Sequence, residues 1–282
     1  MKKVLKVIWN EFIYGGHLLA LGPVAINLSV MTALKLPINF FILVGVYLLS
    51  YIVYFFDRIQ DYDLESSQLR KDLYKFHFKY RIYISVTVVI ALLLSMYAAS
   101  MQSFYLSLLF IILGFFYGIF FKKLTHIIIG FKSFFVAILY SGTILFTLSV
   151  IPTVNSFGLK LILILFFFYF MRWFINTSFC DVKDREVDKK IGYKTLAAVL
   201  TNRVFLITIH IINLFSLMFL VIMIYYFKLP YYLFGLSLVF PFTVLYLNLY
   251  QKQYDLQKLT NIWADAEVII WLFVSIGGFK WV

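Results

Sequence analysis

Residues 157–196 read FGLKLILILFFFYFMRWFINTSFCDVKDREVDKKIGYKTL. Phe157–Cys180 carries only two charges, Lys160 and Arg172. It is long enough to cross a hydrocarbon core about 30 Å thick, which takes about 20 apolar residues as a helix. At Asp181 the character changes at once. Asp181, Asp184, Glu186 and Asp188 crowd together with Lys183, Arg185, Lys189 and Lys190. An apolar span that ends in a knot of acids and bases suggests chemistry placed at a membrane interface.

The rest of the chain agrees. Of 282 residues, 63% are hydrophobic and only 13% charged, against about 25% charged in an ordinary soluble domain. With a mean hydropathy of +0.93, the chain carries more apolar surface than one soluble core can hide. Disorder, a fibrous repeat and a disulfide scaffold are excluded by high hydrophobicity, only 13 Gly and 5 Pro, and a single cysteine. An all-α, polytopic membrane protein remains. Nine segments are expected to span, near Phe12–Leu34, Pro37–Asp57, Ile82–Ser100, Ser103–Phe121, Ser133–Ile151, Phe157–Cys180, Val204–Phe227, Leu229–Tyr250 and Ile262–Phe279. Very short links make the third and fourth, and the seventh and eighth, antiparallel hairpins. Residues 1–282 read as a single transmembrane domain, with polar cap loops at about 58–81, 122–132 and 181–203.

On a soluble protein the net charge of +12 would point to nucleic acid. Here it reports topology. Twenty of the 25 Lys and Arg precede the first span or fall in loops 2–3, 4–5, 6–7 and 8–9. The positive-inside bias therefore predicts a cytoplasmic N-terminus, an outside C-terminus and a cytoplasm-facing site. Lys2, Lys3 and Lys6 precede an apolar stretch with no clear small-residue cleavage site, so no cleaved leader is expected.

Eight of the 13 acids fall in two short windows, 57–65 and 181–188. Asp57, Asp61 and Glu65 are four apart, and Asp181, Asp184 and Asp188 are three and four apart. On continuing helices each set shares one face. Like charges stacked so closely repel, and the cost grows near a membrane. A hard cation relieves that cost, and Mg²⁺ commonly bridges carboxylates to a phosphate while keeping waters. Interleaved Lys and Arg can hold the remaining phosphate oxygens. Two such clusters on one side favour a diphosphate–Mg²⁺ clamp over the alternative of solvated loop charges balanced by their basic neighbours.

The second window, from Asp181-Val-Lys-Asp184 through Asp188-Lys-Lys-Ile-Gly192 to Thr195-Leu196, resembles the second aspartate-rich motif of the UbiA superfamily of intramembrane prenyltransferases. The first, Asp57-Arg-Ile-Gln-Asp61-Tyr-Asp-Leu-Glu65, is similar to the family's first motif, with Asp57 where the family has Asn and Glu65 where it has Asp. The arrangement of nine helices with motifs after helices 2 and 6 is also the family's. The resemblance implies transfer of an isoprenoid chain from a polyprenyl diphosphate to an acceptor, often aromatic. It implies Mg²⁺, two ions bridged by diphosphate, held by Asp57, Asp61, Glu65, Asp181, Asp184 and Asp188. It implies catalytic roles for Asp61, Asp181 and Asp184, and diphosphate contacts from Lys122, Lys123, Lys132 and Lys189, with Tyr117 in the same region.

Other residues carry two readings each. Arg172 and Asn176 can face an acceptor, or serve as a structural ion pair and a helix–helix hydrogen bond. Gly15, Gly16 and His17 interrupt the first span, to shape a cavity wall or to pack. Asp265 and Glu267 can mark a helix start, or bring Asp265 near the site. Loop 2–3, with Arg70, Lys71, Lys75, Lys79 and Arg81 between Leu69, Leu73, Phe76 and Phe78, can form an amphipathic cap or bind anionic lipid. Two other functions compete with prenyl transfer. A terpene cyclase of the same superfamily would ionise the diphosphate without an acceptor. A cation transporter would place its acids near the bilayer midplane, whereas both clusters here lie at one interface.

Overall fold

In a computed structural model the chain is all-helical; it describes residues 2–60, 68–151, 156–228 and 230–278. The helices are α1 (Lys2–Tyr14), α2 (His17–Ala33), α3 (Phe40–Gln60), α4 (Gln68–Ala99), α5 (Met101–Ile119), α6 (Phe131–Gly142), α7 (Ile144–Leu148), α8 (Ser156–Cys180), α9 (Arg185–Ile191), α10 (Leu196–Val199), α11 (Asn202–Phe227), α12 (Val239–Gln251), α13 (Leu256–Lys258) and α14 (Glu267–Gly278). Eight spans are long and apolar enough to cross a membrane, and α1 with α2 makes a ninth, bent by 57°.

The nine expected segments are present, with their ends redrawn by local chemistry. The first span bends at Gly15-Gly16, where Gly16 takes φ 90° and an added Cβ would overlap the Tyr54 ring. A left-handed residue packed this closely has to be glycine. The third span runs on into the cap loop as one helix of 32 residues. The fifth is broken into α6 and α7, and Asn27 Oδ1 of α2 accepts from Thr147 N (3.2 Å) and Thr147 Oγ1 (2.7 Å) beside the break. The eighth opens as a 3₁₀ helix over Tyr231–Leu238, and the ninth begins at α13 and passes through a π-helical turn, Leu259–Ala264. A single residue, Ser100, separates α4 from α5; its Oγ caps Ser103 N at 2.9 Å.

Three apolar cores hold the bundle. One joins α2, α6, α8, α11 and α14 around Trp173, Tyr169 and Trp271; a second joins α2, α3, α4 and α5 around Ile42, Val46 and Met96; a third joins α8, α11 and α12 around Phe179, Phe205 and Tyr246. α2 belongs to the first two, and it is buried along most of its length. In lipid the packing of helices draws little from hydrophobic transfer, so small residues and interhelical hydrogen bonds matter more. Ser29 Oγ bonds Tyr169 Oη and Ser275 Oγ, each at 2.6 Å, joining α2, α8 and α14. Leu, Ile and Phe cover the outer faces of α4, α5 and α11.

Candidate functional site

The two halves of the bundle enclose one cavity of about 230 Å³. Its polar end is built from the turns that follow two spans. Asp57 lies in the last turn of α3 and lines the cavity. Asp181, Asp184 and Asp188 line the opposite side. They do not share the face of one helix, as their spacing predicts. α8 stops at Cys180, residues 181–184 form a turn, and α9 starts at Arg185. The turn folds back so that all three still reach the cavity. Asp61 and Glu65 lie outside the described residues.

Each acid of the second motif has a distinct setting. Asp181 is buried; Lys132 Nζ donates to its Oδ1 at 2.7 Å and Ser133 Oγ to its Oδ2 at 3.1 Å. Asp184 occupies the cap position of α9 without capping it. Asp188 is buried and accepts from Thr195 Oγ1 at 3.0 Å. Burial pushes the Asp188 carboxyl up to about 6, against the opposing pull of Lys132. Gly192, at φ 87°, ends α9, and the Gly192 and Tyr193 amides return to the Asp188 carbonyl at 2.9 and 2.8 Å. That turn carries Thr195 back onto Asp188, which explains the Gly and Thr that follow the acids in the motif.

The structure sorts the basic residues. Lys122 and Lys132 line the cavity. Lys123 and Lys189 do not: Lys123 is exposed, and Lys189 turns outward to Glu186 at 3.2 Å. Lys189 follows Asp188 directly and so points about 100° away around α9. Arg58, whose guanidinium lies 4.6 Å from the centre of the Tyr54 ring, lines the cavity within the field of Asp57 and Asp184.

Of its two readings, acceptor contact or structural ion pair, Arg172 makes the ion pair. It is fully buried, with Nε and Nη2 donating to the two carboxylate oxygens of Glu267 at 2.6 Å each. Nη1 donates to Asn213 Oδ1 (2.5 Å) and Ser216 Oγ (3.1 Å), and Nη2 also to Thr243 Oγ1 (2.5 Å). A buried cation surrounded this completely has no capacity left for substrate. Asn176 does line the cavity, as do Cys180, Asn261 and Asp265. The sequence holds a signal for the Arg172 pairing: Glu267 is an acid inside another apolar segment, and charges within a bilayer pair with one another.

The rest of the cavity wall is largely apolar and aromatic, with Tyr117, Phe135 and Tyr140 among its residues. Tyr117 stacks on Phe135 at 4.9 Å, and Tyr140 packs tilted against Trp173 at 4.2 Å, between ring centres. The helical extension of α4 closes one side: Tyr74 lines the cavity and donates to the Tyr14 carbonyl at 3.0 Å. Beside it, Glu11 lies 3.0 Å from His77 Nε2 and 3.4 Å from His17 Nε2, joining α1, α2 and α4. The amphipathic cap read in loop 2–3 is thus the first turns of a spanning helix.

The oxygen-only donor set suits a hard cation. Among the described residues no three acidic, His or Cys side chains are grouped so as to hold a metal by themselves. Mg²⁺ takes one or two carboxylates and completes its shell with water and substrate phosphate.

Solved structures with the same fold come from the same family. A UbiA homolog from Aeropyrum pernix matches with TM-score 0.70 at 9% identity, covering 92% of this chain and 96% of that one. A UbiA homolog from Archaeoglobus fulgidus bound to GPP and Mg²⁺ matches with TM-score 0.69 at 14% identity, covering 96% and 98%. A digeranylgeranylglyceryl phosphate synthase matches with TM-score 0.60 at 15% identity, covering 99% and 100%. No curated protein sequence matches the chain. The family model for UbiA prenyltransferases matches residues 21–271, so nearly the whole bundle and both acid clusters lie within the match, and the chain belongs to the UbiA prenyltransferase family.

Proposed function

We propose that the protein transfers an isoprenoid chain from a polyprenyl diphosphate to an acceptor within the bilayer, with its polar site toward the cytoplasm. The observation that carries this is the convergence of Asp57 with Asp181, Asp184 and Asp188 on one cavity whose remaining wall is largely apolar and aromatic. Acids with an apolar wall suit the charged head and the apolar chain of a prenyl diphosphate. Relatives of the same fold bound to GPP or DMAPP with Mg²⁺ support the reading.

Asp57, Asp184 and Asp188, with Asp61, Glu65 and Asp181, would hold two Mg²⁺ ions. Bound there with the diphosphate, Mg²⁺ supplies neutralisation of the charge that builds on the leaving group. Lys122, Lys132 and Arg58 donate to the remaining diphosphate oxygens, with the bonds strengthening as the allylic C–O bond lengthens. The bond breaks with its electron pair leaving on the diphosphate. Tyr117, Phe135 and Tyr140 present ring faces to the resulting allylic cation, and the surrounding helices keep water from it. Asp181, held by Lys132 and Ser133, keeps α6 and the second motif in register.

The test is turnover by purified protein in detergent with Mg²⁺, radiolabelled geranyl, farnesyl and geranylgeranyl diphosphates and a membrane extract, with the labelled lipid identified by mass spectrometry. Asp61→Asn and Asp184→Asn are each expected to lower turnover by about 100-fold or more with unchanged melting, the scale of losing one preorganised electrostatic partner. Full activity in either variant refutes the assignment. A labelled cyclic hydrocarbon or terpene alcohol in place of a conjugate would identify a cyclase.

A further inference from the structure

The bend between α1 and α2 and the length of α4 carry two segments out of the bundle, at the end that holds the acids. α2 is 17 residues, about 25 Å long, and nearly crosses the hydrocarbon core unaided. α1 turns away from it by 57°. Its 13 residues measure about 20 Å, of which only about 11 Å advances along the α2 axis. The bend is level with the acid site, since Gly16 packs on Tyr54, three residues before Asp57. α4 is 32 residues, about 48 Å long, and its apolar span begins only at His77. Residues 68–76 therefore stand beyond the span, where Tyr74 lines the cavity.

Both segments are amphipathic. On α1, Val4, Leu5, Ile8 and Trp9 are each more than half exposed, while the helical period puts Lys2, Lys3, Lys6 and Asn10 within one arc of about 100°. On α4, Lys75 and Lys79 are exposed four residues apart, beside exposed Phe78 and Ile82, also four apart. The Arg81 guanidinium lies 4.0 Å from the centre of the Phe78 ring. The two segments are fastened together, Glu11 to His77 at 3.0 Å and the Tyr74 hydroxyl to the Tyr14 carbonyl at 3.0 Å. Residues 2–14 and 68–81 carry eight Lys and Arg against two acids, Glu11 and Asp72. An apolar surface fringed by excess positive charge at the rim of a bilayer suits an anionic lipid, whose chains cover the apolar faces and whose phosphate meets the lysines. Lysine stems can lie along such a surface and still bring the ammonium to the headgroup. A zwitterionic headgroup leaves the excess charge unmatched.

We infer that α1 and the first turns of α4 form one binding surface for anionic phospholipid, with headgroup phosphates met by Lys6, Lys75 and Lys79 and acyl chains against the apolar faces beside them. The surface is separate from the prenyl-transfer site: Lys6, Lys75, Lys79 and Arg81 are not among the cavity residues. It also gives the basic residues at the start of α4 a task that the cavity does not.

The experiment reconstitutes the full chain in phosphatidylcholine bilayers and reads quenching of Trp9 by brominated phosphatidylglycerol or brominated phosphatidylcholine, with Trp9→Phe as the blank for the other tryptophans. Wild type should favour the anionic lipid at Trp9 by about fivefold or more, the worth of one basic side chain near an anionic surface. Raising the salt to about 1 M, where screening acts within about 3 Å, should shrink that preference. The triple variant Lys6→Gln/Lys75→Gln/Lys79→Gln should melt as wild type does and show a preference within about twofold of unity. Equal quenching by the two lipids in wild type overturns the proposal, as does an unchanged preference in the triple variant. Absence of quenching by either lipid places α1 off the bilayer and also overturns it. Abolition of the preference by excess geranylgeranyl diphosphate with Mg²⁺ would assign the surface to the donor, and a dimer cross-linked through α1 would assign it to a second copy; either result overturns the proposal.

Discussion

Replacing Glu267 by Gln keeps the shape of the side chain and removes its charge from Arg172. Both partners are inaccessible, at 0% and 1% side-chain exposure. Two of the five bonds to the guanidinium go to the carboxylate. A hydrogen bond to a charged group contributes about 1.5–3 kcal/mol and a neutral one about 0.5–1.5, so weakening two of them costs about 2–3 kcal/mol. Leaving the guanidinium without a counter-charge raises the total to about 3–5 kcal/mol, the range for breaking a buried pair. At about 2–4 °C per kcal/mol for a chain of this size, Glu267→Gln should melt roughly 6–20 °C below wild type in detergent without ligand. Arg172→Met should fall similarly. The double variant Arg172→Met/Glu267→Leu should recover most of the loss, because no charge is then stranded. Single variants melting within about 2 °C of wild type, or a double variant melting at the sum of the singles, would refute the reasoning. An Arg172→Met variant that lost transfer with unchanged melting would return Arg172 to the acceptor site.

Other outcomes follow from the same geometry. Burial raises the Asp188 carboxyl to about 6, so below that pH the folded protein holds a proton that the unfolded chain has already lost. Asp188 therefore favours the metal-free fold at low pH, and this contribution disappears as pH rises from the ordinary carboxylate value through about 6. Mg²⁺ must displace that proton, so the half-saturating Mg²⁺ concentration for donor binding should rise by roughly fivefold between pH 6 and 5; a flat titration would exclude Asp188 from the metal set. Lys132→Met should lower turnover and thermal stability together, since it strands Asp181, whereas Lys189→Ala should leave both at wild-type levels in a melting and turnover assay. Gly16→Ala forces a left-handed residue with a side chain against Tyr54 and should cost about 1–3 kcal/mol, read as a lower melting temperature.

Much of the architecture was legible because a bilayer constrains the chain so severely. An apolar run of about 20 residues has few options besides a spanning helix, and both Phe40–Gln60 and Ser156–Cys180 stand where hydropathy puts them. The motif Asp181–Leu196 identified the family because its acids, Gly192 and Thr195 form one local device, a turn that returns Thr195 to Asp188. Local sequence carries local geometry. Helix breaks were less legible: the π-turn at Leu259–Ala264 and the interruption after Gly142 contain no proline, and they depend on partners far along the chain.

The order of residues alone determined that this is an all-helical membrane protein with two acidic windows, because apolar length and charge clustering are properties of consecutive residues. Only the folded bundle decided how individual side chains are used. It turned Lys132 inward to Asp181 and Lys189 outward to Glu186, consumed Arg172 against Glu267, and brought Asp265 to the same cavity as Asp57. The Lys132–Asp181 and Arg172–Glu267 contacts join residues 49 and 95 positions apart in the sequence. Which of two chemically similar charges meets a partner depends on how helices rotate and pack, and no local spacing encodes that.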